Sequence, residues 1–369
     1  MEIFRRFGFD KFLALTAIAL LSVGLVMVFS SSAVLAAERH QQSFYFFLNQ
    51  LGGVALGFTA VIIILSSKTP FYQKPLFIYG MMSASILFLA AALMMPSVGN
   101  TNRWIMLGGF RLQPSEITKL SLILFLALIM SRKQDRMKKA QSLLFPGAVI
   151  LLTVLLIIKE PDYGTALLVF TIGAAMLFIG GVRLEHFAFL GLLFAVIFSV
   201  YLFQADYRLG RVMSFLSPET DILGSGFQAY QSKLALGAGG LLGVSIGEST
   251  QKLFFLPCAH TDYIYAILGE ELGLVGALAV LILFGIILWR GLVISRNAPT
   301  VFCRLAAAGI SLSLFIQALL NISVVLGLGP ATGLPLPLLS YGRSSLFVTL
   351  TGIGILLHIS QRKPGHRKK

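Results

Sequence analysis

The chain has 369 residues, of which 57% are hydrophobic and 12% are charged, and its formal net charge is +14. Its mean hydropathy is +0.87. Apolar runs of about twenty residues recur from end to end, and each is long enough to cross a hydrocarbon core as a helix. This composition excludes a soluble enzyme and predicts an all-α polytopic integral membrane protein, with residues 1–369 forming a single transmembrane domain.

The apolar runs predict about ten transmembrane helices. They cover roughly 11–34, 46–66, 75–95, 115–131, 142–158, 163–181, 184–204, 262–289, 303–327 and 341–360. The fifth and sixth can alternatively form one helix that is broken at Pro161. The first run is too long for a cleaved signal peptide, so we interpret it as a retained helix. A large loop of about 204–261 separates the seventh helix from the eighth.

Lysine and arginine in the loops predict the orientation of the chain. With the N-terminus in the cytoplasm, the cytoplasmic segments contain most basic residues, and the short external loops contain only Arg39, Arg103, Arg111 and Lys159. Both termini are therefore expected in the cytoplasm, and the large loop is expected outside it. The positive charge then faces anionic lipid headgroups, and nucleic-acid binding is not expected.

The loop before the fourth helix contains Arg103 and Trp104, a pair that is also typical of an aromatic belt at the membrane interface. The fourth helix begins with Glu116 and Lys119, which are three residues apart and therefore on one face. An unpaired charge inside a membrane is costly. We therefore predict that Lys119 lies within ion-pair distance of Glu116 or of Asp262.

Residues 159–165 read KEPDYGT, and their proline and glycine interrupt the helical pattern. Breaks of this kind within a membrane protein line protein or water. Asp162 can contribute to a polar site there. It can instead cap the following helix by accepting a hydrogen bond from the Thr165 N–H, and the sequence leaves both roles open.

The large loop contains a glycine-rich run, 237–247, which reads GAGGLLGVSIG. No Gly-Lys-Ser/Thr follows it, so it is not a nucleotide-binding P-loop. We interpret the run as a segment that packs closely against a helix. Because the chain has no nucleotide motif, energy for its reaction must come from the substrate or from an ion gradient.

The stretch 253–273 reads LFFLPCAHTDYIYAILGEELG and joins this polar loop to an apolar helix. Asp262 lies at the junction and is the candidate catalytic carboxylate. The alternative is that Asp262 caps the helix through the Tyr265 N–H. Glu270 and Glu271 lie roughly 12 Å further along the helix at 1.5 Å per residue. They are therefore predicted to pair structurally or to line a polar cavity.

The chain contains five motifs in one order: NRW with QPSEITK, KEPDYGTALL, GFQAYQSKLALGAGGLLG, LPCAHTDYIYAILGEELG and GLPLPLLSYGRSSL. In these motifs, and over essentially its whole length, it resembles the SEDS family (FtsW, RodA and SpoVE) of bacterial cell-wall glycan polymerases. The run STQKLFFLP is more similar to the division-associated members. Two positions depart from the family pattern. Cys258 stands where an acid is usual, and Arg343 stands where SYGGSS has its second glycine.

The resemblance implies a peptidoglycan glycosyltransferase that polymerises lipid II into β-1,4 glycan strands and releases undecaprenyl pyrophosphate during division. It implies that Asp262 is catalytic. The expected substrate-binding residues are Arg103, Glu116, Lys119, Asp162, Arg208, Arg211, Lys233, His260 and Ser344. Of these, Arg103, Arg208, Arg211 and Lys233 are the external cations available for the departing pyrophosphate. A divalent cation, magnesium or manganese, can share that task, although the sequence identifies no ligands for it.

The resemblance also implies partners and a location. The partners are lipid II, the undecaprenyl-linked glycan, a class B penicillin-binding protein that cross-links the product, other division-complex proteins and membrane lipids. The location is the cytoplasmic (inner) membrane of a bacterium, at the division septum.

Other functions remain open on the sequence. Ten helices with breaks and intramembrane charges also suit a flippase or transporter for lipid II, which needs sites near the midplane that both faces can reach. Here the ionisable residues cluster at the predicted external end, which favours the enzyme. A scaffold would leave these charges without a purpose. Within the family, the alternative is an elongation polymerase of the RodA type.

Overall fold

In the computed structural model, the described residues are 8–95, 103–107, 110–132, 140–203, 210, 215 and 226–361. Within them the chain forms eleven α-helices and one short antiparallel hairpin. The helices are α1 (Lys11–His40), α2 (Tyr45–Ser66), α3 (Pro75–Met94), α4 (Pro114–Arg132), α5 (Ala140–Lys159), α6 (Tyr163–Ile179), α7 (Leu184–Leu202), α8 (Phe227–Gly239), α9 (Ile264–Arg296), α10 (Val301–Val325) and α11 (Arg343–Ser360). The hairpin pairs β1 (Ile105–Leu107) with β2 (Phe110–Leu112).

The helices confirm the predicted polytopic membrane fold. Eight of those described are long and apolar enough to cross a membrane, namely α1 to α5, α9, α10 and α11. The apolar parts of α6 and α7 are shorter and complete the predicted set of about ten. The fifth and sixth helices are separate. The sequence did not predict α8, which lies inside the predicted large loop.

Helix α4 is the centre of the bundle. It packs against α3, α6, α10 and α11, and its residues are buried from Pro114 to Met130 with one exception. Its first turns carry a glutamate and a lysine, whose charges are costly in lipid but can be paired in a protein interior. The central position of α4 therefore explains how Glu116 and Lys119 can lie within an apolar bundle.

Helix α9 is broken at Gly273, whose backbone adopts φ 66° and ψ −167°. The glycine-rich segment that follows α8 packs into this break, with Val244 N donating to Glu270 O (3.0 Å) and Leu274 N donating to Gly240 O (2.9 Å). A Cβ on Gly239 would lie only 2.0 Å from Gly269 O. The predicted packing role of the glycine run is confirmed. The span predicted at roughly 262–289 is present as Ile264–Arg296, and the break at Gly273 within it is a feature that the sequence did not predict.

Buried acids hold the next part of the loop against the bundle. Glu270 accepts hydrogen bonds from Thr250 N (2.9 Å) and from Ser249 Oγ. Glu271 Oε1 lies 2.9 Å from Lys252 Nζ and accepts a hydrogen bond of 2.6 Å from Ser30 Oγ on α1. Each glutamate therefore has structural partners, as predicted. These contacts hold the loop segment 249–252, which leads to Asp262, against the bundle.

Candidate functional site

A cavity of about 880 Å³ opens at the end of the bundle where α1 ends and α11 begins. This volume is in the upper part of the range for small-molecule sites. Its polar and charged lining comprises Arg39, His40, Arg103, Arg111, Gln113, His260, Thr261, Asp262, Arg343, Ser344 and Ser345, and its aromatic lining comprises Tyr45, Phe46, Trp104 and Tyr341. Arg103 and Trp104, the pair from the loop before the fourth helix, are both part of this lining.

Asp262 lies on the wall of this cavity, just before α9. The helix begins at Ile264 with Tyr263 at its N-cap, so Asp262 is outside the cap and the alternative capping role is wrong. Its backbone oxygen accepts a hydrogen bond of 2.7 Å from Asn321 Nδ2, which also donates to Leu334 O at 2.7 Å. Helix α10 therefore fixes the backbone that presents the Asp262 carboxylate.

The segment before α11 is joined to the Asp262 loop by hydrogen bonds. Tyr341 N donates to His260 O (3.0 Å), and Ser340 Oγ donates to Thr261 O. Gln50 of α2, which is buried, donates from Nε2 to Ser340 O (3.1 Å) and accepts from Gly342 N (3.1 Å). These bonds hold the two halves of the cavity wall in one arrangement.

Arg103 and Asp262 lie near each other on the cavity wall. A Cβ placed on Gly333 would lie 3.7 Å from Asp262 Oδ2 and 3.9 Å from Arg103 Nη1, so both groups border the same glycine. The Arg103 guanidinium group also donates to the backbone oxygens of Glu160 (3.2 Å) and Pro161. These bonds hold the cation in place beside the candidate base.

Asp162 lies behind Arg103 and does not line the cavity. Its Oδ1 accepts from Thr165 N (3.2 Å) and caps α6, as one of the two sequence predictions expected. Its Oδ2 accepts from Gln113 Nε2 (3.1 Å) and lies 3.9 Å from Arg103 Nη1. Asp162 therefore contacts the site through Arg103 rather than through the cavity.

Glu160 is a buried acid that the sequence analysis did not single out. It lies in the turn between α5 and α6, outside both helices. Burial and the neighbouring Asp162 carboxylate raise the pKa of Glu160 to about 9, and Arg103 opposes this increase. The group is therefore protonated at neutral pH.

Glu116 and Lys119 form an ion pair away from the main cavity. Lys119 Nζ lies 2.9 Å from Glu116 Oε2 and donates to Gln317 Oε1 at 2.7 Å. The three side chains border a small cavity of about 30 Å³ between α4, α10 and α11. The predicted pairing with Glu116 is confirmed, and Asp262 is not the partner of this lysine.

His260 and Ser344 lie on the cavity wall. Burial and the positive charge of Arg39 lower the pKa of His260 to about 4, so its ring is neutral at physiological pH. It can form hydrogen bonds but brings no positive charge to a phosphate. Ser344 Oγ donates to Arg111 O at 2.8 Å and thereby ties the hairpin to the start of α11.

The positive charges around the cavity differ from those expected. Lys233 lies on α8 beside Gly327, away from the cavity lining. Arg208 and Arg211 lie outside the described residues. The structure instead adds Arg39, Arg111 and Arg343 to Arg103. Only one sequence feature pointed to Arg39 and Arg111 as site residues: they are among the few basic residues of the predicted external loops.

The part of the chain that the structure describes offers few ligands for a divalent cation. The structurally described residues contain no group of three or more His, Cys, Asp or Glu side chains that could hold a metal ion. Within the same part of the chain, Asp262 is the one acid on the cavity wall, where four arginines also lie. Magnesium can use one or two carboxylates together with substrate phosphates, and Asp262 is the one carboxylate that the described part of the cavity wall offers.

The family model described as Cell cycle protein, which groups FtsW, RodA and SpoVE, matches residues 10–364. The chain belongs to this family. Stage V sporulation protein E of Bacillus subtilis is 40% identical over 357 residues, which are 95% of this chain and 97% of that protein. The probable peptidoglycan glycosyltransferase FtsW of Trichlorobacter lovleyi is 40% identical over 363 residues, which are 97% of this chain and 94% of that protein.

Solved structures of FtsW/RodA/SpoVE-type chains have the same fold. A chain from a peptidoglycan synthase complex that coordinates polymerization and crosslinking matches with a TM-score of 0.78 and 28% identity, covering 96% of this chain and 98% of that one. RodA of Thermus thermophilus matches with a TM-score of 0.69 and 25% identity, covering 96% and 97%. The resemblance to the SEDS family is thus confirmed for the whole helical bundle.

Proposed function

We propose that this chain is a peptidoglycan glycosyltransferase that polymerises lipid II into β-1,4 glycan strands. The observation that carries the proposal is one cavity of about 880 Å³ in which a carboxylate, Asp262, lies with four arginines at the end of a polytopic bundle. An acid beside several cations suits a reaction that deprotonates a hydroxyl group and expels a pyrophosphate. The names of the relatives that are 40% identical support the same activity.

In the proposed reaction, Asp262 is the general base. It accepts the proton of the acceptor sugar hydroxyl while that oxygen attacks C1 of the donor sugar. The bond from C1 to the pyrophosphate oxygen breaks, its electron pair stays on the pyrophosphate, and the configuration at C1 inverts. Undecaprenyl pyrophosphate is the leaving group.

Arg103 is placed to stabilise charge as it develops. Its hydrogen bonds to Glu160 O and Pro161 O and its proximity to Asp162 hold the guanidinium group before substrate arrives. A cation that is already in position need not reorganise during the reaction, which is the main source of electrostatic catalysis. Asp162 is therefore a positioning residue in this proposal.

We propose that the protein acts in the bacterial cytoplasmic (inner) membrane, with both termini in the cytoplasm and the cavity on the opposite side. The basic residues of the predicted cytoplasmic segments support this orientation. We also propose a class B penicillin-binding protein as its partner, at the division septum. The fold shared with a chain from a peptidoglycan synthase complex supports such a partner.

The other candidate, a lipid II flippase, finds less support in the geometry. A transporter needs a substrate site near the bilayer midplane. Glu116 and Lys119, the charged pair inside α4, neutralise each other beside a cavity of only about 30 Å³, which is too small for a sugar. The large cavity lies instead at one end of the bundle.

A comparison of two preparations separates the two functions. In detergent, the protein co-purified with a class B partner and treated with a β-lactam is incubated with lipid II, and glycan polymer is resolved on a gel. We expect polymer in detergent, where no bilayer exists to be crossed. If no polymer forms, while proteoliposomes of the single protein move lipid II between leaflets, the flippase function is correct.

A further inference from the structure

Two buried amide side chains of α10 hold the backbone of the cavity wall. Gln317 and Asn321 are four residues apart, so they lie on one face of the helix, and each is only 2% exposed. Gln317 Nε2 donates to Pro335 O (2.8 Å), and Asn321 Nδ2 donates to Leu334 O (2.7 Å). Residues 333–335, the wall segment, have no regular secondary structure, so these carbonyl oxygens depend on side chains for their hydrogen bonds.

The wall segment lies between the candidate base and its neighbouring cation. Gly333 and Pro335 line the cavity, and Gly333 is the glycine that Asp262 Oδ2 and Arg103 Nη1 both border. Its φ of 71° is in the left-handed region, where glycine is favoured. A side chain at this position would enter the space between the acid and the cation. The position of the wall segment therefore affects how the two groups face each other.

The acid and the cation are attached to different helices. Asn321 of α10 also donates to Asp262 O (2.7 Å), whereas Arg103 donates to backbone oxygens of the turn just before α6. Helix α6 itself packs against the wall segment, since a Cβ on Gly164 would lie only 3.0 Å from Leu334 Cγ. Because the wall segment joins the two helices, it fixes the relative position of the base and the cation.

The ion pair in α4 determines which way the Gln317 amide points. Lys119 Nζ lies 2.9 Å from Glu116 Oε2 and donates to Gln317 Oε1 at 2.7 Å. An ammonium group only donates hydrogen bonds, and a backbone carbonyl only accepts them. Gln317 must therefore turn its oxygen to Lys119 and its NH2 group to Pro335 O. One side chain thus connects the ion pair to the cavity wall, although the pair borders a separate cavity of about 30 Å³.

We propose that Gln317 and Asn321 are positioning residues, which hold the wall segment so that Asp262 keeps its reactive placement. The ion pair of α4 acts on the reaction through Gln317. This inference rests on the proposed glycosyl transfer and adds residues that act at a distance from the substrate. Neither amide belongs to the described lining of the large cavity. Glu116 and Lys119, which the sequence predicted as substrate-binding residues, then orient an amide instead of touching the substrate.

The first test removes the hydrogen bond to the wall segment. Gln317→Met keeps the length of the side chain and removes the donor to Pro335 O, while the α4 ion pair stays intact. We expect kcat for lipid II polymerisation to fall by at least about tenfold, with KM changed by less than about twofold, because bound substrate meets a misplaced base.

Ser313→Ala is the matched control for this variant and should polymerise at the wild-type rate. Ser313 is on the same helix, four residues before Gln317, and borders the same small cavity. Among the described residues, no hydrogen bond joins its side chain to the wall segment. A loss of activity in both variants would mean that any change to the small cavity is harmful, and it would overturn the inference.

The second test asks whether the ion pair acts through Gln317. Glu116→Gln with Lys119→Met removes both charges and no contact with the wall segment, and kcat should fall because the amide is no longer oriented. When Gln317→Met is added, activity should fall no further than in Gln317→Met alone, since residues that act through one contact are not additive. If the two losses multiply instead, the pair acts by another route and the inference is overturned.

Amide hydrogen exchange provides a measurement that does not depend on turnover. In Gln317→Met, a peptide that contains residues 331–342 should exchange at least about tenfold faster than in wild type, and Ser313→Ala should leave it unchanged. Size-exclusion profiles confirm that the variants are folded. Equal exchange in wild type and Gln317→Met overturns the inference. If Gln317→Met does not fold, the charge-free double variant takes its place in both measurements.

These outcomes separate the inference from the proposed activity. Equal polymerisation by wild type and Gln317→Met overturns the positioning role and leaves the glycosyltransferase intact. If wild type makes no polymer, the proposed glycosyl transfer fails, and faster exchange in Gln317→Met still supports the attachment of the wall segment to α10.

Discussion

Arg103 Nη1 lies 3.9 Å from Asp162 Oδ2, and the same guanidinium group borders Gly333 together with the carboxylate of Asp262. One arginine thus connects a buried acid to the acid on the cavity wall. Asp162 is buried, and its carboxylate is fixed because it caps α6, so it can hold Arg103 in one position. The cation at the site is therefore organised by the protein before any substrate binds.

Substitution of Asp162 should separate its two roles. Asp162→Asn keeps an oxygen that can cap α6 but removes the charge beside Arg103, so polymerisation should fall by at least about tenfold with little loss of stability. Asp162→Ala removes both and should also cost about 1 kcal/mol of stability. Lipid II turnover and thermal melting in detergent measure the two effects. If Asp162→Asn is as active as wild type, Asp162 does not position Arg103.

The ion pair inside α4 should matter for stability as a pair. Lys119→Met leaves the Glu116 carboxylate buried without its cation and should destabilise the protein by about 3 kcal/mol. The double variant Glu116→Gln with Lys119→Met removes both charges and should recover most of that loss. Melting temperatures of the three proteins in one detergent provide the comparison. A double variant that is less stable than Lys119→Met would contradict the pairing.

The break in α9 should depend on glycine at position 273. A Cβ there would lie 2.4 Å from Gly243 N, and its φ of 66° disfavours any other residue. Gly273→Ala should therefore destabilise the protein by more than about 2 kcal/mol. Gly285→Ala is the matched control, since a Cβ at 285 on the same helix meets nothing within 4 Å. Equal melting temperatures for the two variants would show that the break does not need this glycine.

Glu160 should make stability depend on pH in a defined direction. Its pKa of about 9 in the folded protein is above the ordinary value of 4.5, so the folded state keeps a proton that the unfolded state loses. Stability should then decrease as pH rises from about 5 to 9, with no contribution from this group at lower pH.

Glu160→Gln keeps the shape of the protonated acid and should remove this dependence. It should raise the free energy of unfolding by about 2 kcal/mol at pH 8 and leave it unchanged near pH 4.5. Glu248→Gln, at an exposed position, is the control. Melting curves across this pH range measure the difference. A Glu160→Gln protein that is less stable than wild type at pH 8 would mean that Glu160 is ionised in the folded state.

Features that depend on local sequence could be predicted. Apolar windows of about twenty residues located the membrane helices. The spacing of three residues predicted the pair of Glu116 with Lys119, and the position of Asp162 before Thr165 predicted one of its two possible roles.

Features that depend on contacts between distant segments could not be predicted. Helix α8 has a glycine-rich end, and the break at Gly273 exists because residues 240–245 pack against it. The arginines of the cavity come from α1, the hairpin, the loop before it and α11, and no local pattern relates Arg39 to Arg343. Only the fold brings these charges together around Asp262.

The rate of lipid II polymerisation by Asp262→Asn tests the central claim most directly. The variant keeps the size of the side chain and removes the base, and it is measured in detergent as the pair co-purified with a class B partner whose transpeptidase is blocked by a β-lactam. We expect a loss of at least about a hundredfold relative to wild type, with unchanged folding and lipid II binding. Polymerisation by a well-folded Asp262→Asn pair at the wild-type rate would contradict the role of Asp262 as the base.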